Sequence, residues 1–185
     1  MKLLKTLVRQ REFAIVAVII CLSIVMSFAS NVFLTSGNLK SLFMGLSTEA
    51  IIGIAMTILM VSGGIDMSVG SVMGFSAVIS GILLKSSCPI FLAIPAGLAV
   101  GALIGMLNGF FVCKVGISAF ITTLAGLNMY RGLTYVFTNG LHQSDLGAKF
   151  NAIGQSSFLG IQLPIYYAVI LVIVGDILLR KTKFF

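Results

Sequence analysis

The residues best suited to chemistry lie in one short polar stretch between two apolar runs. It reads Gly63-Gly64-Ile65-Asp66-Met67-Ser68-Val69-Gly70-Ser71. The adjacent glycines are expected to break one helix, and Asp66 can cap the next helix by accepting backbone N–H bonds. A helix broken inside a bilayer also offers free backbone groups to polar cargo. The stretch is therefore either a capped turn or part of a substrate path that includes Asp66 and Ser68.

Arg131 is a second candidate, because an ionisable residue inside a membrane span is a functional candidate by default. It lies about two turns inside the outer end of its apolar run, with Asn128 and Tyr135 on nearly the same helical face. The side chain either snorkels outward to the headgroups or lines the interior. If the side chain lines the interior, Asn128 and Arg131 belong to the substrate path.

Two further acidic residues have simple structural explanations. Glu49 follows Ser47-Thr48 at the predicted start of a helix, where a negative charge complements the helix dipole. Asp176 stands four residues before Arg180, the spacing of an ion pair along one helical face.

Enzyme chemistry has no support in the sequence. His142 is the one histidine, so no Ser/His/Asp or Cys/His set can form. Cys21, Cys88 and Cys113 show no metal-ligand spacing, which predicts no metal site and no disulfide framework. The glycines are not followed by the Lys-Ser/Thr pair of a phosphate loop, so we expect no cofactor here and ATP on a separate subunit.

Composition indicates an integral membrane protein. Hydrophobic residues make up 58% of the chain and charged residues 9%, against about 25% charged in soluble domains. The net charge of +7 comes from basic residues at the ends of apolar runs, where the anionic cytoplasmic leaflet attracts them. This placement argues against a nucleic-acid partner.

Six apolar runs approach the roughly 20 residues that a spanning helix needs. They are residues 13–29, 49–62, 67–84, 89–111, 117–137 and 164–179. The second is short unless it begins nearer Leu42. The first resembles a secretory signal ending at Ser27-Phe28-Ala29, but the spans that follow favour an uncleaved helix. The predicted fold is all-α: a polytopic bundle forming one permease domain over residues 1–185.

Basic residues set the expected orientation, because cytoplasmic loops carry an excess of Lys and Arg. With the N-terminus inside, eight lie on the cytoplasmic side: Lys2, Lys5, Arg9, Arg11, Lys114, Arg180, Lys181 and Lys183. Three lie outside: Lys40, Lys85 and Lys149. Both termini are therefore expected to be cytoplasmic, and loop 138–163 then faces outward as a docking surface or a plain connector.

Small residues recur at helical spacing in two of the runs. The fourth run carries Gly97, Gly101, Gly105 and Gly109, and the third carries Gly70, Gly74 and Gly81. Such faces let membrane helices approach closely, so we expect these glycines to serve helix packing.

The polar stretch also carries a family resemblance. Thr57-Ile-Leu-Met-Val-Ser-Gly-Gly-Ile-Asp-Met-Ser-Val-Gly-Ser71 resembles the T-L-V-I-I-x-G-G-I-D-L-S-V-G-S pattern of permease subunits of ribose/xylose-type ABC sugar importers. Ile117-Ser-Ala-Phe-Ile-Thr-Thr-Leu124 is similar to that family's I-P-A-F-I-V-T-L, with Ser118 in place of proline. Tyr130-Arg-Gly-Leu133 resembles its A-R-G-L.

The resemblance implies a sugar-import permease in a bacterial cytoplasmic membrane. Its partners would be a second permease subunit, two ATP-binding subunits on the inner side, and a sugar-binding protein that docks outside, helped by loop 138–163. Asp66 and Arg131 would matter to the architecture of the pathway. The resemblance does not name the sugar.

One departure bears on activity. The family continues as T-x-F-G-R-x-x-Y-A-I-G-x-N and a coupling segment, whereas here Thr182-Lys-Phe184 is followed by Phe185 and the end of the chain. We therefore expect a permease that is truncated or one piece of a split subunit. The alternative is a non-transporting remnant or an accessory subunit of a full-length permease. A channel or secondary carrier is disfavoured, since no internal repeat is visible.

Overall fold

The computed structural model describes residues 11–181 as a helical protein with one small hairpin. The helices are α1 (Arg11–Ala29), α2 (Ser36–Val61), α3 (Val69–Lys85), α4 (Ile90–Phe110, continued by a π-helix over Phe111–Val115), α5 (Ala119–Thr138), α6 (Ala148–Gln155) and α7 (Leu163–Lys181). Strands β1 (Ser157–Phe158) and β2 (Ile161–Gln162) pair antiparallel. The expected all-α class is confirmed, apart from this hairpin. The basic residues before position 11 and the family-like segment after 181 lie outside the described residues.

A helix covers each of the six predicted runs. Among residues 11–181, three helical segments are long and apolar enough to cross a membrane: Ser36–Val61, Ile90–Val115 and Leu163–Lys181. Phe13–Ala29 and Val69–Lys85 are shorter apolar helices. The count of six spans and the cytoplasmic placement of both termini remain predictions.

The start of α2 differs from the sequence prediction. Thr35 caps the helix, since its Oγ1 accepts the backbone N–H of Asn38 at 3.4 Å. The Asn38 side chain secures the same corner by donating from Nδ2 to the Phe33 carbonyl at 2.7 Å. Glu49 therefore lies in the middle of a 26-residue helix. Its expected place in the first turn, complementing the helix dipole, is wrong.

The chain divides into two compact units, Met1–Leu46 and Ser47–Phe185. The expectation of one permease domain over residues 1–185 stays a prediction. In the second unit α3 packs against both α4 and α5 around the buried side chains of Phe75, Ile104 and Tyr130. The Phe75 ring stacks on Tyr130 at 6.4 Å between centroids and meets Phe137 edge-on at 5.6 Å.

Helices α3 and α4 cross most closely at Gly97. A Cβ placed there would overlap Ser80 Oγ and lie 2.8 Å from the Ser76 carbonyl oxygen. Ser80 Oγ donates to the Ala93 carbonyl of α4 at 3.0 Å, so the close approach also satisfies a buried hydroxyl. The two helices can cross this closely only because residue 97 is a glycine and has no side chain.

At the end of α7 the predicted ion pair is confirmed. Arg180 Nε lies 2.7 Å from Asp176 Oδ1, and both side chains are largely exposed. Exposed pairs of this kind contribute little to stability, so the pair explains the residues without assigning them a role in transport.

We expect Gly97→Ala to lower the free energy of unfolding by about 1–3 kcal/mol, because the added methyl group forces α3 and α4 apart. Gly105→Ala on the same helix is the matched control, since a Cβ there meets nothing within 4 Å. Unfolding in mixed detergent micelles measures both. Equal stability of the two variants would contradict the crossing described here.

Candidate substrate-pathway site

Two glycines end α2 and turn the chain toward α3. Gly63 adopts a left-handed conformation with φ of 83°, which glycine accepts at no steric cost. Its N–H donates to the Met60 carbonyl and that of Gly64 to the Leu59 carbonyl, each at 3.0 Å. This is the Schellman pattern of helix termination, and it satisfies carbonyls that would otherwise be unpaired. The predicted helix break at Gly63-Gly64 is confirmed.

Asp66 accepts two hydrogen bonds from a single residue beyond the break. Its Oδ1 accepts the backbone N–H of Ser68 at 2.7 Å and the Ser68 hydroxyl at 2.6 Å. The cap position of α3 is Ser68 itself. The prediction that Asp66 caps α3 directly is therefore corrected. Asp66 accepts the backbone N–H of Ser68, the residue that precedes the helix, and so orders the cap residue itself.

Asn108 extends this hydrogen-bonded chain to α4. Its Nδ2 donates to Ser68 Oγ at 3.1 Å, and only 8% of the residue is exposed. Ser68 is fully buried. A Cβ on Gly126 of α5 would lie 3.4 Å from Ser68 Cβ, so that helix closes over the serine. Ser68 thus links the Asp66 turn to α4 by hydrogen bonds and to α5 by packing.

A cavity of about 700 Å³ opens beside this network, between α3 and α4. Its polar lining comes from Asp66, Ser76, Ser80 and Asn108, and the remainder is mostly aliphatic or glycine. Among residues 11–181, the buried Ser76 Oγ has no hydrogen-bond partner. Carboxylate, amide and hydroxyl groups on an otherwise apolar wall can bind a small polyhydroxylated molecule through hydrogen bonds.

The structure separates Arg131 from Asp66. Arg131 is exposed and lines a second cavity of about 390 Å³ between α3 and α5, together with Ser71 and Tyr135. Asn128 is also exposed, and its Nδ2 donates to the Leu124 carbonyl of its own helix at 3.0 Å. The four candidate pathway residues therefore do not form one cluster: Asp66 and Ser68 are joined, whereas Asn128 and Arg131 lie on α5.

Five of the seven glycines with predicted packing roles line one of the two cavities. Gly97, Gly101 and Gly105 line the larger cavity, while Gly70 and Gly74 line the smaller one. A Cβ at Gly101 would lie 3.2 Å from Ser76 Oγ, whereas none at Gly70, Gly74, Gly105 or Gly109 would meet an atom within 4 Å. The tight helix contact is thus local to positions 97 and 101.

Sequence reasoning missed Asn108 as a partner of the polar stretch. The residue stands 40 positions after Ser68, and no local pattern brings the two together. A signal was present, because an amide side chain within an apolar run usually finds a hydrogen-bond partner in the bundle. Ser76 and Gly126 were missed for the same reason: their importance depends on which helices become neighbours.

An apolar helix bundle that holds a hydrogen-bonded polar break beside a cavity is typical of membrane transport proteins. The comparisons with known proteins agree. Residues 38–184 match the family described as "Branched-chain amino acid transport system / permease component". The chain belongs to this permease family, which is a family of transport-system components and not of enzymes. The expected location in a bacterial cytoplasmic membrane is consistent with that membership.

Curated relatives carry the names of sugar permeases. The chain is 36% identical over 180 residues to ribose import permease protein RbsC of Haemophilus influenzae, covering 95% of this chain and 55% of the relative. It is 32% identical to L-arabinose ABC transporter permease protein AraH of Azospirillum brasilense, covering 92% and 50% of the two chains. RbsC of Bacillus subtilis is 35% identical, with coverage of 88% and 51%. The chain thus spans about half the length of these relatives. No solved structure matches it.

Replacing Asn108 with leucine is expected to lower the free energy of unfolding by about 1 kcal/mol, because the interhelical bond to Ser68 is lost. Asn128→Leu is the matched control. Its amide bonds only within α5 and is exposed, so its effect should stay below about 0.5 kcal/mol. Unfolding in mixed micelles compares the two variants, and an equal or larger loss for Asn128→Leu would contradict the assignment.

Proposed function

We propose that the chain is a membrane permease component of an ATP-driven (ABC) importer for a monosaccharide or similar small sugar. The observation that carries the proposal is the Asp66–Ser68–Asn108 network at the edge of the 700 Å³ cavity. It lies in the part of the chain that is similar to proteins named for ribose and arabinose import. The cavity between α3 and α4 would then form part of the translocation pathway.

The substrate class follows from chemistry and from the relatives together. Sugars present many hydroxyl groups, which pair well with the carboxylate, amide and hydroxyl groups of this cavity. A branched-chain amino acid, which the family description mentions, is a zwitterion and would need a cation for its carboxylate. The charged side chain that lines the cavity is Asp66, which suits a neutral hydroxylated cargo better.

The proposal includes the arrangement of partners. Two ATP-binding subunits would bind on the cytoplasmic side, where Lys114 follows the end of α4, and a second permease subunit would complete the pathway. A sugar-binding protein would dock on the outer side, at the segment between α5 and α7. Arg131, which lines the smaller cavity, and Asn128, one turn earlier on α5, are proposed to shape the neighbouring wall of the pathway rather than to contact sugar directly.

The alternative stated for the sequence, a non-transporting remnant or an accessory subunit that assembles with a full-length permease, remains a prediction. The two proposals differ in whether this chain can contribute a working pathway.

Genetic complementation tests the proposal in a host that lacks its ribose permease but retains the ATPase and the sugar-binding protein. The chain is expressed together with the C-terminal half of the host permease, and uptake of labelled ribose, arabinose and leucine is measured. We expect ATP-dependent uptake of a sugar and none of leucine. Asp66→Ala should reduce that uptake about tenfold or more at equal membrane levels, since it removes the acceptor that orders Ser68.

The host permease, split at the equivalent position, is the control for assembly from two pieces. If the split control transports and this chain does not, although it is inserted and stable, the accessory or remnant reading is favoured. Uptake of leucine instead of sugar would overturn the substrate class.

The native cysteines test the proposed orientation. Cys88 lies in the turn between α3 and α4, and Cys113 lies in the π-helical end of α4. With the N-terminus inside, a membrane-impermeant maleimide should label Cys88 in intact cells and Cys113 only in inverted vesicles. Single-cysteine variants, with the other two positions changed to serine, separate the signals. The reverse labelling pattern would show the opposite orientation.

A further inference from the structure

The hairpin between α6 and α7 presents an unusual apolar tip. Its strands pair Ser157 with Gln162 and Phe158 with Ile161, and the turn consists of Leu159 and Gly160 at φ of 51° and 81°. Leu159 is 84% exposed and Phe158 61% exposed, and Ile161 is also exposed. Sequence analysis described loop 138–163 as a docking surface or a plain connector, and the structure shows that it contains α6 and this hairpin.

The hairpin is fixed directly on the start of α7. The backbone N–H of Leu163, the first residue of that helix, donates to the Ser156 carbonyl at 3.0 Å and closes the base of the hairpin. Tyr166 Oη donates to the Phe158 carbonyl at 3.0 Å, and the two rings meet edge-on at 6.2 Å. No linker separates the hairpin from α7, which is long and apolar enough to cross a membrane.

The surrounding sequence favours lipid over water as the medium around this tip. Residues 150–175 include no charged side chain, so no charge separates the apolar surface of α7 from the hairpin tip. Tyr166 and Tyr167 stand at the junction, and tyrosine is enriched at membrane–water interfaces. A two-stranded hairpin, however, has open edges whose unpaired N–H and C=O groups are costly in hydrocarbon. The headgroup region satisfies both requirements.

We propose that the hairpin 157–162 is an interfacial anchor, which inserts Phe158, Leu159 and Ile161 among the lipid headgroups and the first carbons of the acyl chains. The partner of this surface is therefore the bilayer, and a docking sugar-binding protein would contact the preceding residues 139–156 of the same segment. The anchor would fix the end of α7 at the membrane surface and leave the charged part of the preceding segment, around Asp145, in water. The inference depends on α7 spanning the membrane and not on the transported substrate.

Tryptophan fluorescence gives a direct test, because the chain contains no tryptophan. Phe158→Trp keeps an aromatic ring beside Tyr166 and introduces a single reporter. The full chain is reconstituted in vesicles of phosphatidylcholine and phosphatidylglycerol, with lipids brominated either near the headgroup end or near the tail end of the acyl chains. His142→Trp, in the exposed polar part of the same connection, is the matched control.

We expect blue-shifted emission from the Phe158→Trp variant. Bromines near the headgroup should quench this emission at least about twofold more strongly than bromines near the tail end, because an interfacial segment lies at the depth of the headgroups. Iodide in the aqueous phase should quench it far less than it quenches the His142→Trp variant. Strong iodide quenching without lipid quenching would overturn the proposal in favour of a water-exposed docking tip. Deeper quenching by tail bromines, or shielding from both quenchers, would overturn it as well.

A second variant tests whether the apolar tip causes the insertion. Leu159→Asn in the Phe158→Trp background removes apolar surface at a position with positive φ, which asparagine tolerates better than leucine. The fold of the hairpin should therefore persist, while lipid quenching falls and iodide quenching rises. Unchanged quenching, with unchanged stability of the chain, would contradict the anchoring role of the tip.

Discussion

The arrangement of the second unit depends on how one carboxylate is satisfied inside an apolar bundle. Asp66 is half-buried in the turn before α3, and a carboxylate withdrawn from water needs other hydrogen-bond donors. Ser68 supplies both its N–H and its hydroxyl to the same oxygen, at 2.7 and 2.6 Å. The serine hydroxyl also accepts a hydrogen bond from Asn108 Nδ2, so the network that begins at Asp66 extends to α4. The position of α3 against α4 follows from this chain of donors.

Glycines make the same arrangement sterically possible. Gly63 and Gly64 reverse the chain so that Asp66 can meet Ser68. Farther along α3, the contact of Ser76 and Ser80 with Gly97 brings the backbones close enough for Ser80 to bond across the helices. Below this crossing the helices diverge around Gly105, where a Cβ would meet nothing, and the cavity opens. One tight crossing and one polar link therefore define the two ends of the site.

Much of this fold could be predicted from the sequence, because apolar runs of spanning length determine where membrane helices form. Five of the six predicted runs lie within a few residues of the observed helices, and the glycine break and the Asp176–Arg180 pair depend on local spacing. The start of α2 was missed because Thr35 and Asn38 build a cap ahead of the apolar run. Tertiary packing determines two further features: the hydrogen bond between Ser68 and Asn108, and the position of Arg131 at a different cavity. Hydropathy does not encode which helices become neighbours, so the site could be predicted only in part.

We predict that Ser68 and Asn108 are energetically coupled across α3 and α4. A double-mutant cycle with Ser68→Ala, Asn108→Leu and the double variant measures this coupling through free energies of unfolding in mixed micelles. We expect a coupling energy of about 0.6–1.7 kcal/mol, from the average to the maximum measured for interhelical hydrogen bonds in a membrane protein. Additivity of the two substitutions within about 0.3 kcal/mol would contradict it, because independent sites behave in that way.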